Sequence, residues 1–300
     1  MNVPTATETP RMPQAPRHAP PAGACDSHAH VFGPYARFPL AHAPSYAPPL
    51  APAALHRGML DILGAARGVL VQPAPYGHDA SALLDALVQS GGRLRGVAVA
   101  DATASEAQLR ALFDGGVRGL RFVEMRAPDG TPYAGSVGID QLLAMAPALR
   151  RVGLHAQLWA PVDDYPRLLP QLRAAGVAVV LDHMACLKPE RGLADPAFQA
   201  VLAALRAGDA WVKLTLCRVS QQAPAYPDLR PFHDALLQAN PARLLWGSDW
   251  PYVRMGERSP DAGALLDLFH DWVPDAALRR RILVDNPAAL YGFPATEEPA

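Results

Sequence analysis

A (β/α)8 barrel is the fold this sequence predicts, and three observations predict it. Eight short runs rich in branched apolar residues alternate with helical patterns along the chain. The first and last runs each carry a polar motif, Asp26-Ser27-His28-Ala29-His30 and Gly247-Ser248-Asp249-Trp250-Pro251. No Gly-rich dinucleotide or phosphate loop follows an early strand, which counts against an open doubly wound sheet. Barrels of this kind occupy roughly 200–250 residues as one domain. A chain of 300 residues, 50% of them hydrophobic, accommodates one with an ample core.

Strands are expected over residues 25–32, 67–72, 94–100, 117–123, 154–160, 177–182, 211–216 and 243–247. Helical patterns cover 81–89, 105–113, 139–150, 163–174, 195–207, 231–238 and 260–272. Several open at a capping residue, such as Ser105 or the pair Asp195-Pro196. The Pro-rich stretch 33–52 carries Tyr35 and Tyr46 and leaves the first strand directly. It is longer than ordinary connections, and such loops are often functional; it is expected to cover the barrel mouth. Residues 1–22, rich in Pro and Ala, read as a disordered tail. Residues 23–294 form the single α/β TIM-barrel domain, and 295–300 are expected to fray.

The formal net charge of −1 provides no overall attraction to nucleic acid or an anionic membrane. No apolar run reaches membrane-spanning length, and the N-terminal stretch lacks the apolar region of a signal peptide. Three cysteines, Cys25, Cys186 and Cys217, form no CxxC and no even framework. They read as reduced thiols of a cytoplasmic protein. Composition leaves a homo-oligomer open.

Side chains alternate along a strand with period 2, so His28 and His30 point to one side and converge on one point. Asp249, just past the last strand, supplies a carboxylate for the opposite wall once the sheet closes. Active sites of such barrels lie at the C-terminal ends of the strands. The other strand ends carry Gln72, Arg121 (with Glu124 and Arg126 beyond), Gln157 and Trp159, Asp182-His183, and Lys213 followed by Arg218. Lys213, on an inward position, is expected to pair with a carboxylate such as Asp182. His155 reads as a core histidine. Arg121 and Arg126 bind substrate on one reading and pair with Glu124 or Asp129 on the other.

The stretches DSHAHVFGPYARFP (26–39), LVQPAPYGHD (70–79), GLRF (119–122), LDHM (181–184), LLWGSDWP (244–251) and DNPAALYGF (285–293) resemble the amidohydrolase superfamily. The resemblance is to its amidohydrolase-related branch, which contains the 2-pyrone-4,6-dicarboxylate lactonase-like proteins. It implies a barrel that hydrolyses a small carbonyl substrate, commonly a carboxylated lactone, with roles for His28, His30, His183 and Asp249. Asp249 is then the base that deprotonates water. The three histidines polarise the carbonyl directly, or hold with Asp249 one divalent cation, expected to be zinc. The reading that needs no metal is preferred, because Arg121 cannot ligate and His155 sits low on its strand. Arg121, Arg126 and Arg218 are expected to clamp substrate carboxylates, with Gln157 and Tyr46 also touching the ligand. Ala74 and Trp159 depart from the pattern expected of lactonase relatives and leave the exact lactone open. Two alternatives stand beside lactone hydrolysis: a metal-dependent decarboxylase of the same branch, and a non-catalytic metabolite-binding barrel.

Overall fold

A computed structural model of the chain describes residues 8–44, 46–127 and 129–295. Its centre is one sheet of eight parallel strands, paired in sequence order. These are β1 (Cys25–Ala29), β2 (Arg67–Val71), β3 (Leu94–Ala98), β4 (Val117–Val123), β5 (His155–Trp159), β6 (Val179–Leu181), β7 (Ala210–Leu214) and β8 (Leu244–Trp246). Parallel strands with both faces covered read as continuous apolar runs, and that is how these appear in the sequence.

The sheet curls until its ends meet. The Asp249 amide donates to the His28 carbonyl at 2.8 Å, and the His30 amide donates to the Trp250 carbonyl at 2.9 Å. The seam of the nearly closed barrel therefore lies at the C-terminal rim, on the two motifs. Gly247 makes the approach possible: a Cβ there would lie 2.7 Å from the Cβ of His28.

Alternation divides the core in two. One face of the strands (Leu70, Leu120, Leu158) packs against helical residues such as Leu83, Leu142 and Leu168. The other face fills the lower barrel with Cys25, Val69, Val97, Val180 and Leu245, plugged by Tyr291 and Phe293.

The surrounding helices are α1 (Ala53–Leu63), α2 (Ser81–Gln89), α3 (Glu106–Asp114), α4 (Ile139–Val152), α5 (Tyr165–Ala175), α6 (Pro196–Ala207), α7 (Arg230–Ala239) and α8 (Ala262–Trp272), followed by α9 (Ala276–Arg280) and α10 (Asn286–Tyr291). Ser105 closes a full capping box on α3, and Asp195 caps α6 with Pro196 in its first turn. Helix α1 has no counterpart among the expected elements. It starts at Pro52 with no side-chain cap and carries an internal glycine, so its start signal is weak, yet it buries His56, Met59, Leu60 and Leu63.

Residues 8–22 hold no helix or strand, in keeping with their composition, but they are tied down. The Gln14 amide donates to Asp261 at 2.8 Å, and Arg17 pairs with Asp267 at 3.1 Å and Asp271 at 2.8 Å on α8. The rest of the expected tail, 1–7, and residues 296–300 lie outside the described residues.

Candidate active site

The two histidines of the first motif converge as their spacing requires, with ring centroids 5.0 Å apart. The β1–β2 register breaks between Asp26 and Ala29, so β1 ends before His30. His30 Nδ1 lies 2.7 Å from the Val71 carbonyl oxygen. A carbonyl only accepts, so Nδ1 carries a proton, and in the neutral form of the ring the lone pair lies on Nε2. That Nε2 is 3.5 Å from Asp249 Oδ1, and His28 Nε2 is 3.6 Å from the same oxygen. His28 Nε2 is buried with no hydrogen-bond partner.

Asp249 and His183 both hold left-handed backbone, at φ 65° and 51°. Non-glycine residues adopt this region rarely and at a cost of order 1–3 kcal/mol, typically at functional sites. The Asp249 loop is fastened from below. Ser248 donates its amide (2.9 Å) and hydroxyl (2.5 Å) to Asp26, and the Trp250 amide donates back to the Ser248 hydroxyl at 3.0 Å. Burial pushes Asp26 up to about 6 in spite of these donors. For Asp249 burial acts the same way, but Arg218, ion-paired to Oδ2, outweighs it and holds the carboxyl well below the usual range.

Beneath this layer runs a chain of buried polar groups. Lys213 Nζ donates to Gln157 Oε1 at 2.7 Å, and Gln157 Nε2 donates to Asp182 Oδ2 at 3.1 Å. Lys213 also pairs with Asp182 Oδ1 at 3.6 Å, the pairing expected from the cost of burying a lone ammonium. His28 Nδ1 is 3.3 Å from both the Lys213 ammonium and the Asp182 carboxylate. Burial lowers Lys213 to about 8. Burial favours protonation of Asp182, but His28 and Lys213 together override it and keep the carboxylate low.

Above the layer opens a cavity of about 360 Å³, with His30, His183 and Asp249 on its floor and Arg121, Trp159 and Arg218 on its walls. Tyr46 reaches it from the long 33–52 loop, whose ends are zipped together by two hydrogen bonds between Phe32 and Ala51. The loop thus lends Ala43, Pro44 and Tyr46 to the cavity lining.

Three expectations need correction. Gln157 does not line the cavity; its side chain is fully buried beneath it, committed to Lys213 and Asp182. Arg126 is exposed and does not line the cavity, although Ala127, Asp129 and Thr131 beyond it do; its backbone bridges to Pro132. Neither Arg121 nor Arg126 pairs with Glu124 or Asp129 among the described residues. His155 lies deeper, packed on Tyr291 at 5.3 Å between centroids, with neither ring nitrogen bonded. Burial drives it down to about 3, and Gly119 leaves room for its ring.

Two cavity residues were not foreseen. Tyr133 stacks on Trp159 with centroids 5.6 Å apart, and Arg254 donates to the Tyr133 hydroxyl at 2.5 Å. Both sit on loops with no periodic signal, so no local pattern marks them.

Two groups of donors at the site lie close enough to hold a metal ion, each with ligand atoms within 4.8 Å of one another: His28, His30 and Asp249, and His28, Asp182 and His183; a third, His18, His270 and Asp271, lies apart from it. The first suits a cation best. The His30 Nε2 lone pair and a carboxylate oxygen face each other, a repulsive arrangement unless a positive centre or a water lies between them.

A family model described as amidohydrolase matches residues 25–293. The chain belongs to the amidohydrolase family. This amidohydrolase is 37% identical over 290 residues to a 2-pyrone-4,6-dicarboxylate hydrolase of Comamonas testosteroni, covering 93% of each chain. It is 36% identical over 289 residues to a 4-sulfomuconolactone hydrolase of Rhizobium radiobacter, covering 94% of this chain and 95% of the relative. Among solved structures, a Pseudomonas putida chain described as a 2-pyrone-4,6-dicarboxylic acid hydrolase superposes with a TM-score of 0.78 at 32% identity, over 93% of this chain and 100% of that one. No helix among the described residues is long and apolar enough to cross a membrane.

Proposed function

We propose that this amidohydrolase opens a small anionic lactone by adding water to its carbonyl, with Asp249 as the base. The observation that carries the reading is the setting of Asp249: Oδ2 is fixed by Arg218, and Oδ1 faces His28 and His30 on the floor of a cavity that Arg121 also enters. The lactone-acting relatives point to the same chemistry.

On this reading Asp249 Oδ1 takes a proton from water as the water oxygen bonds to the carbonyl carbon. The carbonyl oxygen becomes an oxyanion, which needs donors aimed at it; His183, on the cavity floor, supplies one, with His28 buried behind it. Collapse breaks the ring C–O bond, and protonated Asp249 returns its proton to the departing alkoxide, leaving a hydroxy acid. A carboxylate held ionised by Arg218 is ready to accept a proton throughout the neutral range. A divalent cation on His28, His30 and Asp249 would, when bound, add Lewis acidity and make the water more acidic. Arg121 and Tyr46 hold the substrate's anionic group. The three free thiols fit a cytoplasmic setting.

The test is the metal content of the purified protein, paired with hydrolysis of carboxylated lactones before and after chelation. Turnover that survives chelation assigns carbonyl polarisation to the histidines. Turnover that disappears and returns with zinc makes them ligands. No turnover of any lactone, with or without zinc, refutes the proposal.

A further inference from the structure

Of the buried cations at the cavity, one has no carboxylate partner. Lys213 is matched by Asp182 at 3.6 Å, and Arg218 is matched by Asp249. Arg121 is 8% exposed and pairs with no carboxylate among the described residues. Its contacts are the Gln72 carbonyl at 3.2 Å and the Trp159 ring at 5.7 Å, and its buried Nε has no acceptor. The carboxylates that influence it, Asp182 and Asp249, are already committed elsewhere. A guanidinium stays charged at any pH the folded protein meets, so this is a desolvated cation waiting for an anion.

The neighbouring walls offer no second partner of this kind. Phe32, Pro73, Ala74, Val123 and Val253 contribute apolar surface. Arg254 is exposed at the mouth, where water screens its charge, and it is bonded to the Tyr133 hydroxyl. A second carboxylate carried into this cavity would lose its hydration without a dry cation to replace it.

We propose that the preferred substrate is a lactone with a single anionic group, paired with Arg121, and an apolar ring substituent lying along Pro73, Ala74 and Val123. This rests on the lactone-hydrolase reading and narrows it. It separates this chain from the Comamonas relative, whose named substrate carries two carboxylates.

The experiment compares kcat/KM for three lactones built on one ring: a monocarboxylate bearing an alkyl group, the corresponding dicarboxylate, and the methyl ester of the monocarboxylate. The monocarboxylate is expected to lead each of the others by at least tenfold, since a site with an unpaired buried polar group discriminates strongly. A dicarboxylate turned over as well or better overturns the proposal and leaves the hydrolase reading intact. If none of the three is turned over, the hydrolase reading fails, and calorimetric binding of the ring-opened acids decides the charge question. A monoacid bound more tightly than the diacid supports the single anion site; a diacid bound as tightly or more tightly, or no binding by either acid, overturns it. Arg121→Met is expected to erase the preference for acid over ester, and a preserved preference overturns the assignment of Arg121. Should that variant fail to fold, the three-lactone comparison on the unaltered protein stands as the test.

Discussion

His28 and Asp249 meet twice: the Asp249 amide donates to the His28 carbonyl at 2.8 Å, and the His28 imidazole comes within 3.6 Å of the Asp249 carboxylate. One contact closes the barrel and the other builds the site. The polar layer is therefore held by the same seam that makes the fold a barrel, and damage to either is expected to appear in both.

Asp249→Asn keeps the shape and removes the base. Expected is a drop in kcat of about 10²–10⁴, with retained affinity for the ring-opened product and a lowered Tm, because Arg218 loses its carboxylate partner. Activity within a factor of a few of the parent would exclude Asp249 as the base.

Gly247→Ala probes the seam. The added methyl would sit 2.7 Å from the His28 Cβ, so the two strands must part. Overpacking of this kind costs about 1–3 kcal/mol, and both Tm and kcat are expected to fall. A variant that lost neither would show that the seam yields freely.

Lys213→Met removes the ammonium from the chain linking Gln157, Asp182 and His28. Breaking one side of a buried pair costs about 3–5 kcal/mol, because the other charge is stranded. Chemical denaturation is expected to show that loss, together with a reduced kcat as His28 loses a partner. Adding Asp182→Asn should recover part of the stability and none of the kcat; recovery of both would make the layer purely structural.

Acid should unfold the protein early. His56 and His155 titrate at about 3, and His183 and His233 at about 4, all lowered by burial. Each is neutral when folded and takes up a proton near pH 6.5 when unfolded. Their stabilisation is complete above pH 6.5 and is lost as pH falls from there toward 3–4, at up to about 1.4 kcal/mol per pH unit for each group. A Tm that stays flat from pH 6.5 to 4.5 would contradict this.

Much of the fold was legible in the sequence because its signals are local. Eight apolar runs in alternation with helices, and His28 and His30 two residues apart, follow from the pleat of a strand, which depends only on covalent geometry. The pairing of Lys213 with Asp182 was legible for an energetic reason: a buried ammonium must find an anion. Helix α1 was missed because its start carries no side-chain cap and its interior holds a glycine, and packing of Met59, Leu60 and Leu63 forms it regardless.

The sequence by itself determined the order of the barrel strands and the residues that meet at its seam. Only the tertiary structure decided what each residue faces. Gln157 turned from a substrate contact into a support because Lys213, 56 residues away, arrives beneath it. Arg126 points away from the cavity that its neighbours Ala127 and Asp129 line, and Arg254 came to its rim against Tyr133, 121 residues away. Those placements come from loops folding over one another, and contacts so distant along the chain leave no trace in local periodicity.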